Sequence, residues 1–367
     1  MNLTRESIRA IDAIADPCGV LSLYGDGRGV SHQRRDIAER ARAIRRRLGR
    51  VEAGLRDAGA AAVADQYRRW LPRIEIELNR LARATSPGAA LFLPLSTGEP
   101  IPLELPMPVG GHARVEPTGH VMPLVAAYDE GRPAGVVVAS RADVRVFEWR
   151  QGGIDEQLEL PLPCRARGSE RHPPRPGGAV RPGVGRGYRI DAVAEGLRWA
   201  ARQRGWRRMV IAGDPRLRAA VLCGLPLEAA LEVRTLGAGP EGLATAALAA
   251  EIAAELDAAQ RLYEWRLVER VLDAALCDQS ATLGVDAVVT ELDRGGVEHL
   301  IIDPARLRSN APPPHTSESE RLVELALATG AEITPLEGTG ARLAMRRASR
   351  RCSDSAFPNS LDSGQSC

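Results

Sequence analysis

The chain has 367 residues, 44% of them hydrophobic, which exceeds one ordinary core and sets two or three domains as the expectation. Its 49 basic and 47 acidic residues nearly cancel, so attraction for a polyanion has to come from local patches. No charged, apolar leader pattern opens the sequence, no apolar run reaches bilayer length, and six scattered cysteines form no CxxC pair, so the expectation is a soluble protein in a reducing cytoplasm with no membrane partner.

Every one of the 49 basic residues is arginine. A GC-rich genome alone would produce that bias, yet its physical consequence stands: guanidinium forks grip phosphates bidentately and stack on bases better than an ammonium does.

In chain order, Thr4 to Ala15 reads as a short amphipathic helix and Gly19 to Tyr24 as a buried strand. From about Gln33 a helix carries Ile37, Ala41, Ile44, Leu48, Val51 and Leu55 on one stripe, with Arg40, Arg42, Arg45, Arg46, Arg47 and Arg50 around it. Those charges read either as a solvated face or as an RNA contact. A second helix runs from Val63 to Leu81, and short strands at 90–95 and 101–105 complete an α+β first domain over residues 1–117.

The second domain, 118–237, opens with three β-rich runs, Val121 to Ala127, Pro133 to Ala139 and Asp143 to Trp149, at the spacing of an antiparallel meander. Gly152-Gly153 turns into a fourth run carrying Leu158, Leu160 and Leu162. Beyond a basic loop come a helix over Ile190 to Gln203, a strand at Met209 to Ala212, a helix opened by Gly213-Asp214-Pro215, and a strand at Leu231 to Leu236. This alternation indicates an α/β arrangement on a mixed sheet. The third domain, 238–347, is also α/β: a long helix from about Glu241 to Leu276, a helix at 283–294, a strand at Val297 to Asp303, a helix at 318–329 and a strand at Glu332 to Leu336. Residues 348–367, rich in serine and glycine, read as a disordered tail.

The chain is organised around the loop 164–189, CRARGSERHPPRPGGAVRPGVGRGYR. Arg165, Arg167, Arg171, Arg175, Arg181, Arg186 and Arg189 face one acid, Glu170, while prolines and glycines oppose helix and strand. A connection this long is a functional loop or a linker. Its charge suits a phosphate backbone, which makes it either an RNA-facing finger or a solvated linker between domains.

Other motifs are weak. Gly237-Ala-Gly-Pro-Glu-Gly242 fits the GxGxxG pattern of a nucleotide-binding turn, but the following helix is long for a compact βαβ unit and no ribose-binding acid stands at the expected distance. Without lysine no GxxxxGK[ST] loop exists. The six histidines give no HExxH and no metal spacing, there is no GxSxG, and Cys164 in the basic loop has no marked base. No metal or cofactor is expected, and no catalytic residue is assigned.

Three segments carry a family resemblance: HVMPLVAAYDEGRPAGVVVASRADVRVFEWRQGG (120–153), the Arg/Gly-rich loop leading into a helix, and ATLGVDAVVTELDRGGVEHLIID (281–303). Together they resemble the eukaryotic and archaeal class 1 release factors and Pelota, and in particular their bacterial Vms1-like and Balon-like relatives. The resemblance implies three domains, the last similar to a ribosomal protein fold. In release factors the middle-domain loop carries Gly-Gly-Gln, whose glutamine helps orient attack on the peptidyl-tRNA ester. At the matching place stands Pro176-Gly177-Gly178-Ala179, so the glycines are present and the glutamine is replaced by Ala179. The resemblance therefore implies ribosome binding without hydrolysis, as in hibernation or rescue of stalled ribosomes. Arg165, Arg167, Arg171, Arg175, Gly177, Gly178, Ala179, Arg181, Arg186 and Arg189 would lie against ribosomal RNA near the peptidyl transferase centre, with a translational GTPase as an open second partner. A Vms1-like peptidyl-tRNA or tRNA-directed hydrolase and a nucleotide-binding regulator remain as alternatives.

Overall fold

The computed structural model describes residues 3–26, 34–81, 86–139, 144–150, 153–158, 184–225, 231–237, 245–277, 279–303 and 318–336. In chain order these form α1 (Arg5–Asp12), β1 (Ala15–Asp26), α2 (Arg34–Asp57), α3 (Ala61–Leu81), β2 (Gly88–Pro94), β3 (Ile101–Leu105), β4 (His112–Thr118), α4 (Met122–Glu130), β5 (Ala134–Ala139), β6 (Val144–Arg150) and β7 (Gly153–Leu158). There follow α5 (Val184–Arg204), β8 (Arg208–Gly213), α6 (Pro215–Gly224), β9 (Glu232–Leu236), α7 (Thr245–Leu276), α8 (Val285–Asp293), β10 (His299–Ile302), α9 (Glu318–Thr329) and β11 (Glu332–Pro335). The architecture is mixed α/β, with a four-stranded, a five-stranded and a two-stranded sheet among the described residues. The chain groups into two compact units, Met1–Glu130 with Glu264–Cys367, and Gly131–Tyr263. These boundaries fall at 130/131 and 263/264, where the sequence reading divides the chain at 117/118 and 237/238.

In the first unit the sheet runs β3-β2-β1-β4, antiparallel throughout. Because side chains alternate along a strand, β1 and β2 send Leu21, Leu23, Leu91 and Leu93 to one face, against Ile44, Leu48, Tyr67 and Ile74 of α2 and α3. Val20, Tyr24, Ala90 and Phe92 go to the other, against residues of α1, α4, α8 and α9. Burial on both faces explains why β1 and β2 read as continuous apolar runs. A capping box starts α1: Ser7 N–H donates to Thr4 Oγ1 (3.1 Å), and Thr4 N–H to Ser7 Oγ (2.8 Å). Arg5 then reaches the Gly330 carbonyl (2.5 Å) and Arg9 the Leu327 carbonyl (3.1 Å). Two cations thus satisfy carbonyls at the end of α9 and tie α1 to α9 in one core.

In the second unit the sheet runs β7-β6-β5-β8-β9. The first three form an antiparallel meander, while β5, β8 and β9 are parallel. One face packs Val137, Val146, Met209 and Ile211 under Val193, Leu197 and Ala201 of α5 and Val221 of α6. The other packs Val136, Val138, Val210 and Ala212 under Ile252 and Leu256 of α7.

Three sequence expectations are corrected. Residues 121–127, read as a strand, begin a helix, because the Glu320 carboxylate accepts from the backbone N–H groups of Val121 (3.3 Å) and Met122 (3.2 Å) at its start. Residues 112–118 form β4, which the sequence reading left out. The loop assigned to 164–189 ends earlier, since α5 begins at Val184 despite Gly185 and Gly187. Residues 159–183, most of the GxGxxG turn and the tail 348–367 lie outside the described residues.

Candidate nucleic-acid interface

Strands β5, β7, β8 and β9 all run in one direction, with β6 opposed. The register aligns Leu158, Val146, Val137, Ile211 and Thr235 in one row across the sheet. Leu158 is the last residue of β7, so the chain leaves the sheet towards the carboxyl edge marked by Ala139 and Gly213. It returns through α5, which leads to Arg208 at the amino edge of β8. Consequently the described elements that bound residues 159–183, β7 ending two residues short of that edge and α5 starting on its side, both lie towards the carboxyl side of the sheet. This is the edge at which open α/β sheets bind ligands. It is also where the first N–H groups of α5 point, carrying the positive end of the helix dipole.

The neighbouring strand end is built tightly. Gly213 has φ +111°, and a Cβ there would sit 2.0 Å from the Ala139 carbonyl oxygen, so the position demands glycine. The Asp214 N–H donates to that same oxygen (2.9 Å), and the Asp214 carboxylate accepts from the Arg216 N–H (2.9 Å), capping α6 with Pro215 as its first residue. Arg218 donates to the Leu236 carbonyl at the end of β9. Arg216 is exposed, with no ion pair among the described residues. A cation in the first turn of a helix opposes the dipole, and a bound anion would reverse that penalty. Arg216 and Arg218 stand at the carboxyl edge, where the sequence reading placed no candidate residue; the signal was the Gly-Asp-Pro-Arg turn directly after a strand.

The opposite end of α5 is clamped. Glu148 on β6 is fully buried, and it accepts from Trp206 Nε1–H (3.0 Å) and Arg150 Nε–H (2.5 Å), with Arg204 at 3.9 Å. Trp206 lies against Gly135, where an added Cβ would meet the indole at 2.6 Å. A buried carboxylate with a hydrogen-bond donor on each oxygen fixes the turn between α5 and β8.

Of the residues expected at the interface, Arg165, Arg167, Arg171, Arg175, Gly177, Gly178, Ala179 and Arg181 lie outside the described residues. Arg186 and Arg189 belong to the first turns of α5.

A second polar cluster lies in the first unit. His120 Nδ1 sits 2.5 Å from Glu320 and 3.4 Å from Glu116. The His120 N–H donates to Ser22 Oγ (2.9 Å), and the Tyr24 hydroxyl donates to the His120 carbonyl (2.5 Å). Burial opposes charge on this ring, but the hydrogen bonds and charges of Glu116 and Glu320 outweigh it and raise its pKa to about 9. Burial, with Glu324 and Glu320 nearby, pushes Asp12 up to about 7. Enclosed on both sides of the contact, His120 and Glu320 form a structural ion pair rather than an open acid–base site. Among the described residues no group of three or more His, Cys, Asp and Glu is placed to hold a metal ion. No described helix is long and apolar enough to cross a membrane.

Residues 120–261 match the family model of bacterial archaeo-eukaryotic release factor family 10. No curated protein matches the chain. Among solved structures, the archaeal translation termination factor aRF1 is 17% identical over 95% of this chain and 96% of its own, with a TM-score of 0.27. A model of ribosome-bound archaeal Pelota and ABCE1 is 11% identical over 94% and 92%, with a TM-score of 0.38. Pelota of Archaeoglobus fulgidus is 13% identical over 68% and 72%, with a TM-score of 0.32. The family match spans α4, the whole five-stranded sheet, its two α5 and α6 helices and the first half of α7, and over that stretch the chain resembles the bacterial release-factor-like proteins.

Proposed function

We propose that this chain is a cytoplasmic ribosome-binding factor that presents segment 159–183 to ribosomal RNA without hydrolysing peptidyl-tRNA, on idle or stalled ribosomes. The observation that carries the reading is the placement of the elements that bound an arginine-rich segment towards the carboxyl side of a release-factor-like sheet. That side gathers the N-terminus of α5 and the exposed Arg216. Five arginines with two adjacent glycines form a cationic segment able to track a phosphate backbone, the glycines allowing close approach. Ala179, where the resemblance expects a glutamine, has no amide to orient water or stabilise charge, and removing such a group costs orders of magnitude in rate.

The test replaces Arg165, Arg171, Arg175, Arg181 and Arg186 with alanine and follows ribosome affinity against salt. Each lost phosphate contact lowers the log–log slope by roughly 0.7 to 0.9. An unchanged slope removes the segment from the mechanism. Wild-type protein added to ribosomes loaded with peptidyl-tRNA leaves the ester intact; release of the peptide would favour the hydrolase alternative.

A further inference from the structure

The helical hairpin α2–α3 holds a charged surface that the release-factor-like region does not include. Three interhelical contacts set its register: Arg45 with Glu75 (3.4 Å), Arg68 with Glu52 (3.0 Å) and Arg56 with Asp65 (3.4 Å). All three lie on one flank of the hairpin. The same register places Arg50 level with Arg69 and Arg46 level with Arg73. These are two like-charged rungs, about 6 Å apart along the axes at 1.5 Å per residue, and Arg42 continues the α2 row by a further turn. Ile44, Leu48, Leu55, Ala64, Tyr67 and Ile74 face the sheet, so Arg42, Arg46, Arg50, Arg69 and Arg73 occupy the outward side. All five are exposed and none has an ion pair among the described residues. Of the acids on the two helices, Glu52, Asp65 and Glu75 are engaged in the flank contacts and Glu77 with Arg80 (3.7 Å), while Asp57 stands seven residues, about 10 Å along the axis, beyond Arg50. Like charges held level repel one another unless an anion covers them.

We propose that this outward face of α2–α3 is a second RNA-binding surface, one that takes the sugar–phosphate backbone of a duplex without reading its sequence. Guanidinium rows at helical spacing suit a row of phosphates. A lipid surface does not fit, because the apolar stripes of both helices are committed to the sheet, and among the described residues of the hairpin the large apolar side chain left outward is Ile76. An acidic protein partner would want an apolar or aromatic anchor at the centre of the face. Base stacking would need outward aromatics, whereas Tyr67 is buried and Trp70 donates its Nε1–H to the Leu95 carbonyl (2.7 Å). The choice of RNA over DNA rests on the ribosome reading above.

The test uses the full chain with Arg42, Arg46, Arg50, Arg69 and Arg73 changed to glutamine, in the wild-type background and in one already lacking the loop arginines. The probes are two short RNA duplexes of unrelated sequence, the matching DNA duplexes, and poly-glutamate as competitor. Five phosphate contacts correspond to roughly a 500-fold loss of affinity between about 50 and about 200 mM salt. That salt dependence is expected in the loop-deficient chain, equal for both RNA sequences, and absent once the five arginines are glutamine. The substituted chain should melt no lower than wild type, which separates lost binding from lost folding. An unchanged salt slope overturns the proposal, as does poly-glutamate competing as well as RNA, or DNA binding as tightly as RNA. Wild-type chain that ignores ribosomes yet loses duplex binding on substitution would sink the ribosome reading and leave this surface standing.

Discussion

The His120–Glu320 pair should make the first unit's stability fall as pH rises above neutrality. His120 is held at about 9 in the folded chain against 6.5 when exposed. A raised folded pKa contributes stability that is fully present below 6.5 and lost as pH rises through 9. At about 1.4 kcal/mol per pKa unit the contribution is on the order of 3 kcal/mol. For a unit of this size that corresponds to about 6 to 12 °C in melting temperature. Glu116, which burial pushes up but its contacts with His120 and Arg114 hold below the usual carboxylate range, keeps its charge across the same window. The Tyr24 phenol, pushed well above 10 by burial, adds its own decline only at still higher pH. The assay is differential scanning calorimetry of wild type and His120→Gln from pH 6 to 9.5, following the transition that carries the first unit. Wild type should lose stability progressively up to about pH 9, whereas the variant should decline only up to about pH 7, where Asp12 ionises, and be nearly flat from about pH 7.5 to 9.5. Equal slopes in the two proteins, or a wild-type transition that rises with pH, would refute the assignment of charge to the ring.

Three further outcomes follow from the second unit. Gly213→Ala should destabilise it by about 3 kcal/mol or more in urea, because it forces a Cβ into the Ala139 carbonyl and separates the 2.9 Å bond to Asp214; a shift under about 1 kcal/mol would show that the strand end can move. Trp206→Phe removes a hydrogen bond from the buried Glu148 carboxylate and should cost roughly 1 to 3 kcal/mol, read from the urea midpoint. Arg216→Ala should weaken ribosome binding about tenfold with melting unchanged; full affinity in a folded variant would separate α6 from the interface.

Much of this arrangement could be read from the sequence because local patterns and tertiary burial agree. The α2 and α3 stripes meet one sheet face, the Gly213-Asp214-Pro215 turn opens α6, and the 318–329 helix has the limits its pattern predicts. The misses have specific causes. Residues Met122, Leu124, Val125 and Ala127 are buried around α4, so the segment shows no helical face, and a short buried helix and a buried strand look alike by periodicity. What starts the helix is Glu320, almost two hundred residues away in sequence. Strand β4 carries mostly polar side chains and Pro117, because it is the edge of its sheet and is paired on one side by β1. The pairing of α1 with α9 depends on Arg5 and Arg9 reaching the end of α9, a contact no local pattern records. Composition alone marked the arginines of 164–189, while Arg216 and Arg218 come to the carboxyl edge of the sheet only through the order of the parallel strands.

The most direct test of the central claim is co-sedimentation of the tagged full chain with ribosomes on sucrose gradients, from growing and from starved cells. The account predicts co-migration with intact ribosomes, enriched on starvation and lost when Arg165, Arg171, Arg175, Arg181 and Arg186 become alanine. Recovery of the wild-type chain only in the light soluble fractions under both conditions would contradict it.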